Sequence, residues 1–193
     1  GWSIEQVLFD IGCGDGRICI EAAQSRGART CGVEIEENLV DKFRRKVAAK
    51  GLGSKVTVIH GDLREVDLTE ATVVVMYLLP DAIAEIAQSL LLPLLRRGNP
   101  KQEQPRTNST GAAPRSSHHR EERGRCEEPV GEGAGAAASD KPLRPCRIVC
   151  NTWGIPGATA VREAAVGLYG GVRLRLFTHD SLSTPAAGST VPV

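Results

Sequence analysis

Asp10-Ile11-Gly12-Cys13-Gly14-Asp15-Gly16 follows directly on the apolar run Val7-Leu8-Phe9 and leads into Arg17–Arg26. A short apolar run that ends in an acid, then three spaced glycines, reads as a buried strand, a tight turn and a helix. Glycines there let the chain turn sharply and let a ligand approach without meeting a Cβ. The helix that follows aims its N-terminal N–H groups at the same place. The dinucleotide fingerprint G-x-G-x-x-G demands glycine where Arg17 stands, so a nicotinamide-dinucleotide dehydrogenase is disfavoured.

Strand and helix signals alternate on the C-terminal side of this loop. Gln6–Asp10 is the first strand and Arg17–Arg26 the first helix, stopped by Gly27. Arg29–Glu34 reads as a strand. Asn38–Lys50 reads as an amphipathic helix, with Leu39, Val40, Phe43 and Val47 on one face and Gly51 after it. Lys55–His60 and Thr72–Tyr77 are the third and fourth strands. Ala82–Arg96 is a helix that Pro93 kinks or ends. Arg147–Asn151 is a fifth strand, Ala158–Leu168 a weak helix and Val172–Thr178 a sixth strand, and no seventh strand is evident. This alternation predicts an α/β fold, a Rossmann-like doubly wound and mostly parallel sheet with helices on both faces. Ligands of such sheets bind at the carboxyl ends of the strands.

Asn99–Pro145 interrupts the pattern. It contains no aromatic residue and no isoleucine and is rich in Gly, Ala, Pro, Ser, Arg and Glu. It is expected to be a disordered, low-complexity insertion, because it cannot bury enough apolar surface to offset its ordering entropy. The expected organisation is one domain formed by 1–98 and 146–180, the insertion 99–145 and a disordered tail 181–193. The chain begins at Gly1, close to Asp10, and reads as a fragment whose lack of a targeting signal carries no information.

With 24 basic and 23 acidic residues the formal charge is +1, so no basic stripe for nucleic acid is expected. No run of apolar residues is long enough to span a membrane. The six cysteines lack C-x-x-C spacing. They read as reduced, mostly buried thiols of an intracellular protein, cytoplasmic or mitochondrial, and no metal site is expected.

The D-x-G-x-G-x-G spacing after a strand resembles the first motif of the class I, seven-strand S-adenosylmethionine-dependent methyltransferases. The resemblance covers about 1–98 and 146–178. It implies that the loop Asp10, Gly12, Cys13, Gly14, Asp15 and Gly16 wraps the methionine part of S-adenosylmethionine, with Asp10 near the amino group. Glu34, ending the second strand, matches the family's ribose-binding acid; otherwise it is one surface carboxylate among Glu36 and Glu37. Asp62 matches the adenine acceptor and Leu63 its packing neighbour; otherwise Asp62 is an ordinary helix N-cap. His60 reads as a strand residue.

Met76-Tyr77-Leu78-Leu79-Pro80-Asp81 ends the fourth strand, where the family lines its transfer site. The [ND]-P-P-[YF] sequence of the adenine- and glutamine-type amino methyltransferases is absent. Tyr77-Leu78-Leu79-Pro80, with Val149-Cys150-Asn151-Thr152-Trp153-Gly154-Ile155-Pro156-Gly157, resembles a branch related to protein-lysine methyltransferases of the mitochondrial ATP-synthase c-subunit type. The resemblance implies a lysine of a protein substrate as acceptor. Such a lysine must be neutral to attack, and Tyr77 and Asp81, as acceptors of its hydrogen bond, are the catalytic candidates. Core packing is the competing role for Tyr77 and Trp153. A small-molecule acceptor on the same core, or a non-catalytic cofactor-fold binding subunit, are the alternatives.

Overall fold

The computed structural model describes residues 6–97, 144–167 and 171–182. Seven strands form one sheet in the order β3-β2-β1-β4-β5-β7-β6. The strands are β1 (Val7–Ile11), β2 (Arg29–Glu34), β3 (Val56–His60), β4 (Val73–Met76), β5 (Arg147–Asn151), β6 (Arg162–Val166) and β7 (Val172–Phe177). β1 to β5 pair in parallel, whereas β7 runs antiparallel to β5 and β6 antiparallel to β7. Every residue of β1 is buried, as a central strand covered on both faces requires.

Helices α1 (Arg17–Arg26) and α2 (Glu37–Ala49) contribute to one core layer, with Leu8, Cys19, Ile20, Phe43, Val47 and Val73. Helices α3 (Pro80–Ile86) and α4 (Leu92–Arg96) contribute to the other, with Phe9, Ile11, Met76, Ile83, Leu95, Ile148 and Phe177. α1 ends at Gly27, whose left-handed conformation lets its N–H reach back to the last turn. The expected long helix over 82–96 is divided. A π-helical turn, Ala87–Leu91, joins α3 to α4 just before Pro93. Proline has no N–H to give to the carbonyl four residues back, and a widened turn takes up the mismatch.

Two expectations are corrected. Ala158–Leu168 is not a helix, because Arg162–Val166 is strand β6. The seventh strand, not evident in the sequence, is therefore present, in a hairpin with β7. Every β6 residue is exposed, so no apolar alternation marks it, and its Glu-Ala-Ala core has helical propensity that the pairing overrides. Ser181 and Leu182, placed in the expected tail, close a 3₁₀ turn, His179–Leu182, in which Ser181 is buried. The expected insertion 99–145 lies outside the described residues save Arg144 and Pro145, as does the tail from 183.

No helix among the described residues is long and apolar enough to cross a membrane. Cys13, Cys19, Cys146 and Cys150 are free and buried, while Cys31 is disulfide-bonded, contrary to the expectation of reduced thiols throughout.

Candidate functional site

The C-terminal ends of β1, β2, β4 and β5 come together at one end of the sheet. The β1–α1 loop is held from beneath. Gly12 N and Cys13 N both donate to the Val33 carbonyl, at 2.9 and 3.0 Å, and Gly16 N donates to the Cys13 carbonyl at 3.0 Å. Gly14 has φ +57, and a Cβ there would meet nothing within 4 Å. The loop thus turns through a conformation that favours glycine and leaves open space in front of it. Gly16 answers a different demand, because a Cβ on it would lie 2.0 Å from the Phe43 ring of α2. Its role is the close packing of loop on helix. Leu78, just past β4, lies against Gly12, which brings the β4 end onto the glycine loop.

Glu34 is 8% exposed and serves the loop directly. Gly14 N donates to its Oε2 at 2.8 Å, while Ile35 N and Glu36 N donate to Oε1 at 2.9 and 3.0 Å. A carboxylate has about four acceptor positions, so Oε2 retains capacity for a further hydroxyl. The reading of Glu34 as one more surface carboxylate does not survive this burial.

Asp10 is 2% exposed, and its Oδ2 has no hydrogen-bond partner. Burial, followed by the charge of Glu34, pushes its pKa up to about 7. Burial raises the thiols of Cys13 and Cys19 as well, so neither is a nucleophile at neutral pH. Cys13 is buried, and its sulfur lies 2.8 Å from where a Cβ on Gly32 would be, so its share in the loop is its backbone. Asp15 turns to Arg17 at 3.1 Å and Lys46 at 2.6 Å, and these cations, Arg17 foremost, hold its carboxyl down at about 2.

Asp62 begins a turn in which Arg64 N donates to its Oδ1 at 2.9 Å. No helix follows, so it is not a helix cap. The Arg64 guanidinium grips both Asp62 oxygens and reaches Glu85 of α3 at 2.7 Å, holding Asp62 below its usual range. Leu63 is partly buried against the core. His60 ends β3, exposed, with Nε2 3.1 Å from the Ile35 carbonyl. Ile35 was missed in the sequence. It is 61% exposed beside Glu34, and its signal was one apolar residue within the acidic Glu34–Glu37 stretch.

Tyr77 and Leu79 are 64% and 74% exposed beyond β4, and Trp153 is 42% exposed beyond β5. Core packing is therefore not what Tyr77 and Trp153 do. Asp81 is exposed in the first turn of α3, where a carboxylate complements the helix dipole. Thr152 is the only non-glycine residue with positive φ among the described residues, at 70°. A β-branched residue there costs about 1–3 kcal/mol.

Among the described residues no group of three or more His, Cys, Asp or Glu is placed to hold a metal. The donor set instead suits an organic ligand with a diol and an ammonium: a glycine loop with space before it, a carboxylate with acceptor capacity and a second, unpartnered buried carboxylate.

A model of the ANTKMT methyltransferase domain matches residues 10–98. A protein-lysine N-methyltransferase of Saccharolobus islandicus (strain REY15A) is 37% identical over 78 residues, 40% of this chain and 48% of the relative. The ribosomal protein L11 methyltransferase of Alkaliphilus metalliredigens (strain QYMF) is 29% identical over 91 residues, 47% of this chain and 29% of the relative. The chain thus spans about half, or less, of these relatives' lengths. An RNA methyltransferase from Salinibacter ruber, solved with S-adenosyl-L-homocysteine, superposes with a TM-score of 0.60 at 24% identity, over 95% of this chain and 85% of that one. That likeness concerns the fold.

Proposed function

We propose that this chain, which belongs to the class I S-adenosylmethionine-dependent methyltransferases, moves a methyl group from S-adenosylmethionine to a lysine of a protein substrate. The observation that carries the lysine reading is the 37% identity to the protein-lysine N-methyltransferase. The site geometry is compatible with it.

Asp10, Gly12, Gly14 and the backbone of Cys13 would hold the methionine part of the cofactor, and Glu34 its ribose. Ile35 would flank the adenine, and Asp62 would accept from the adenine amino group once Arg64 gives up part of its grip. Asp15 and Gly16 support the loop from outside and beneath. When bound, S-adenosylmethionine supplies an activated methyl group on a sulfonium, open to in-line displacement.

The chain's own task is alignment and exclusion of water. A lysine must be neutral to attack, and apolar surroundings penalise its charged form. Tyr77, Leu78, Leu79 and Pro80 supply such surroundings. Tyr77 Oη or the Asp81 carboxylate would accept a hydrogen bond from the amine and orient its lone pair.

Calorimetry with S-adenosylmethionine and S-adenosylhomocysteine, with NAD as control, tests the cofactor. Labelled S-adenosylmethionine on a protein extract, with and without prior acetylation of its lysines, which ties up the nitrogen lone pair in an amide, tests the acceptor. Label that disappears on lysine-blocked protein supports the reading. Label that persists there, or that enters only the small-molecule fraction, refutes it.

A further inference from the structure

We propose that Trp153 recognises the acceptor, taking an alkylammonium side chain against its indole face, and that Thr152 is the residue that positions it. The inference deepens the lysine reading above and rests on it.

β4 and β5 pair in parallel with Met76 opposite Cys150, so the chains leave the sheet side by side. Tyr77 follows one of them, and Trp153 the other. Trp153 is exposed although its surroundings are anchored. Ile155 is buried in the core, and Ala158 N donates to its carbonyl at 3.1 Å. Thr159 N donates to the Ser181 carbonyl at 2.9 Å. The loop therefore folds without the indole, and yet its backbone is fixed.

The fixing centres on Thr152. Its N–H donates to the Arg173 carbonyl at 2.6 Å, and its hydroxyl to Asn151 Oδ1 at 2.9 Å. Its carbonyl accepts from the Arg175 guanidinium, which is itself paired with Glu163 at 2.7 Å. Trp153 N donates to the Asn151 carbonyl at 2.8 Å. A left-handed threonine persists only when its surroundings over-determine it, and such residues cluster at ligand clamps. Here the β6–β7 hairpin provides that constraint, and the consequence is a fixed backbone from which Trp153 stands exposed at the carboxyl end of β5, the end at which Tyr77 leaves β4.

Charge movement gives the indole its use. The nitrogen lone pair forms the N–C bond as the C–S pair returns to sulfur, so positive charge passes from sulfur to nitrogen and a neutral thioether leaves. Aromatic faces attract cations, and tryptophan does so best. A ring beside the acceptor nitrogen favours the charge where it arrives.

The test uses the full chain with Trp2→Phe, which leaves Trp153 as the sole tryptophan. It is loaded with S-adenosylhomocysteine and titrated with Nα-acetyl-Nε-trimethyl-lysine methylamide, followed by indole fluorescence. The parent is expected to show saturable quenching. Thr152→Gly, which tolerates the turn, is expected to bind within threefold of the parent. Thr152→Pro cannot adopt positive φ and loses the donor to Arg173, so it is expected to bind at least tenfold more weakly. S-adenosylhomocysteine affinity should stay within twofold throughout. Trp153→Ala and Trp153→Phe, which leave the backbone of the turn untouched, are compared by calorimetry with the same probe. A tenfold loss in the alanine variant, largely recovered in the phenylalanine variant, is expected. Absence of quenching in the parent overturns the proposal, as does unchanged probe affinity in Trp153→Ala. Label on lysine-blocked protein overturns the lysine reading instead, and the probe titration decides this inference separately.

Discussion

Replacement of Asp10 by asparagine probes the electrostatics at the centre of the site. Asp10 is 2% exposed, its Oδ2 lacks a partner, and burial together with Glu34 raises its pKa from 3.8 to about 7. Between those values the folded protein keeps a proton that the unfolded chain has shed. The stability this group contributes is therefore full below about pH 4 and is lost as pH rises toward 7. At about 1.4 kcal/mol per pH unit, the folded state above pH 7 carries a buried carboxylate at a cost of about 4 kcal/mol. Asparagine is neutral at every pH and nearly the same size. Its own amide leaves a pH-independent offset of about 1–3 kcal/mol where unsatisfied. The quantity to measure is the difference in unfolding free energy between Asp10→Asn and the parent, by urea titration from pH 4 to pH 8. It should move in favour of the variant by about 4 kcal/mol across that range, with most of the change complete by pH 7. A difference that stays flat with pH refutes the reasoning. The same carboxylate, needed ionised beside an ammonium, should make parent affinity for S-adenosylmethionine fall as pH drops below 7, and the variant's should not.

Gly14→Ala and Gly16→Ala separate site from scaffold. The first should cost about 1 kcal/mol of stability through its positive φ while weakening cofactor binding at least tenfold by calorimetry. The second drives a Cβ into Phe43 and should lower stability by about 2 kcal/mol or more in urea titration. Glu34→Gln keeps the shape but loses the charge that Gly14, Ile35 and Glu36 N–H groups address. It should weaken S-adenosylhomocysteine binding about tenfold or more by calorimetry. Tyr77→Phe and Asp81→Ala should between them lower turnover with labelled cofactor by about tenfold or more, with cofactor affinity unchanged; full turnover in both would remove them from the mechanism.

The glycine loop, its flanking strand and helix, the acid at the end of β2 and the parallel part of the sheet were legible in the order of residues alone. These are local: Val7-Leu8-Phe9 must be buried, Gly12 to Gly16 must turn, and Gly27 must stop a helix. α1, β2 and β5 lie at the expected boundaries. Features that depend on partners distant in the chain became visible in the fold. β6 exists because β7 pairs with it, and its exposed residues carry no periodic mark. Gly16 is required by Phe43, a residue of another helix, and the sequence could not separate that demand from a ligand's. Asp10 and Asp15 are both acids of one loop. Burial pushes one up to about 7, and Arg17 and Lys46 hold the other at about 2. Tyr77 and Trp153 had two equal readings until the parallel pairing of β4 and β5 brought both, exposed, to one end of the sheet. Residue type states what a side chain is able to do, and burial and neighbours, which come from the whole fold, select which of those things it does.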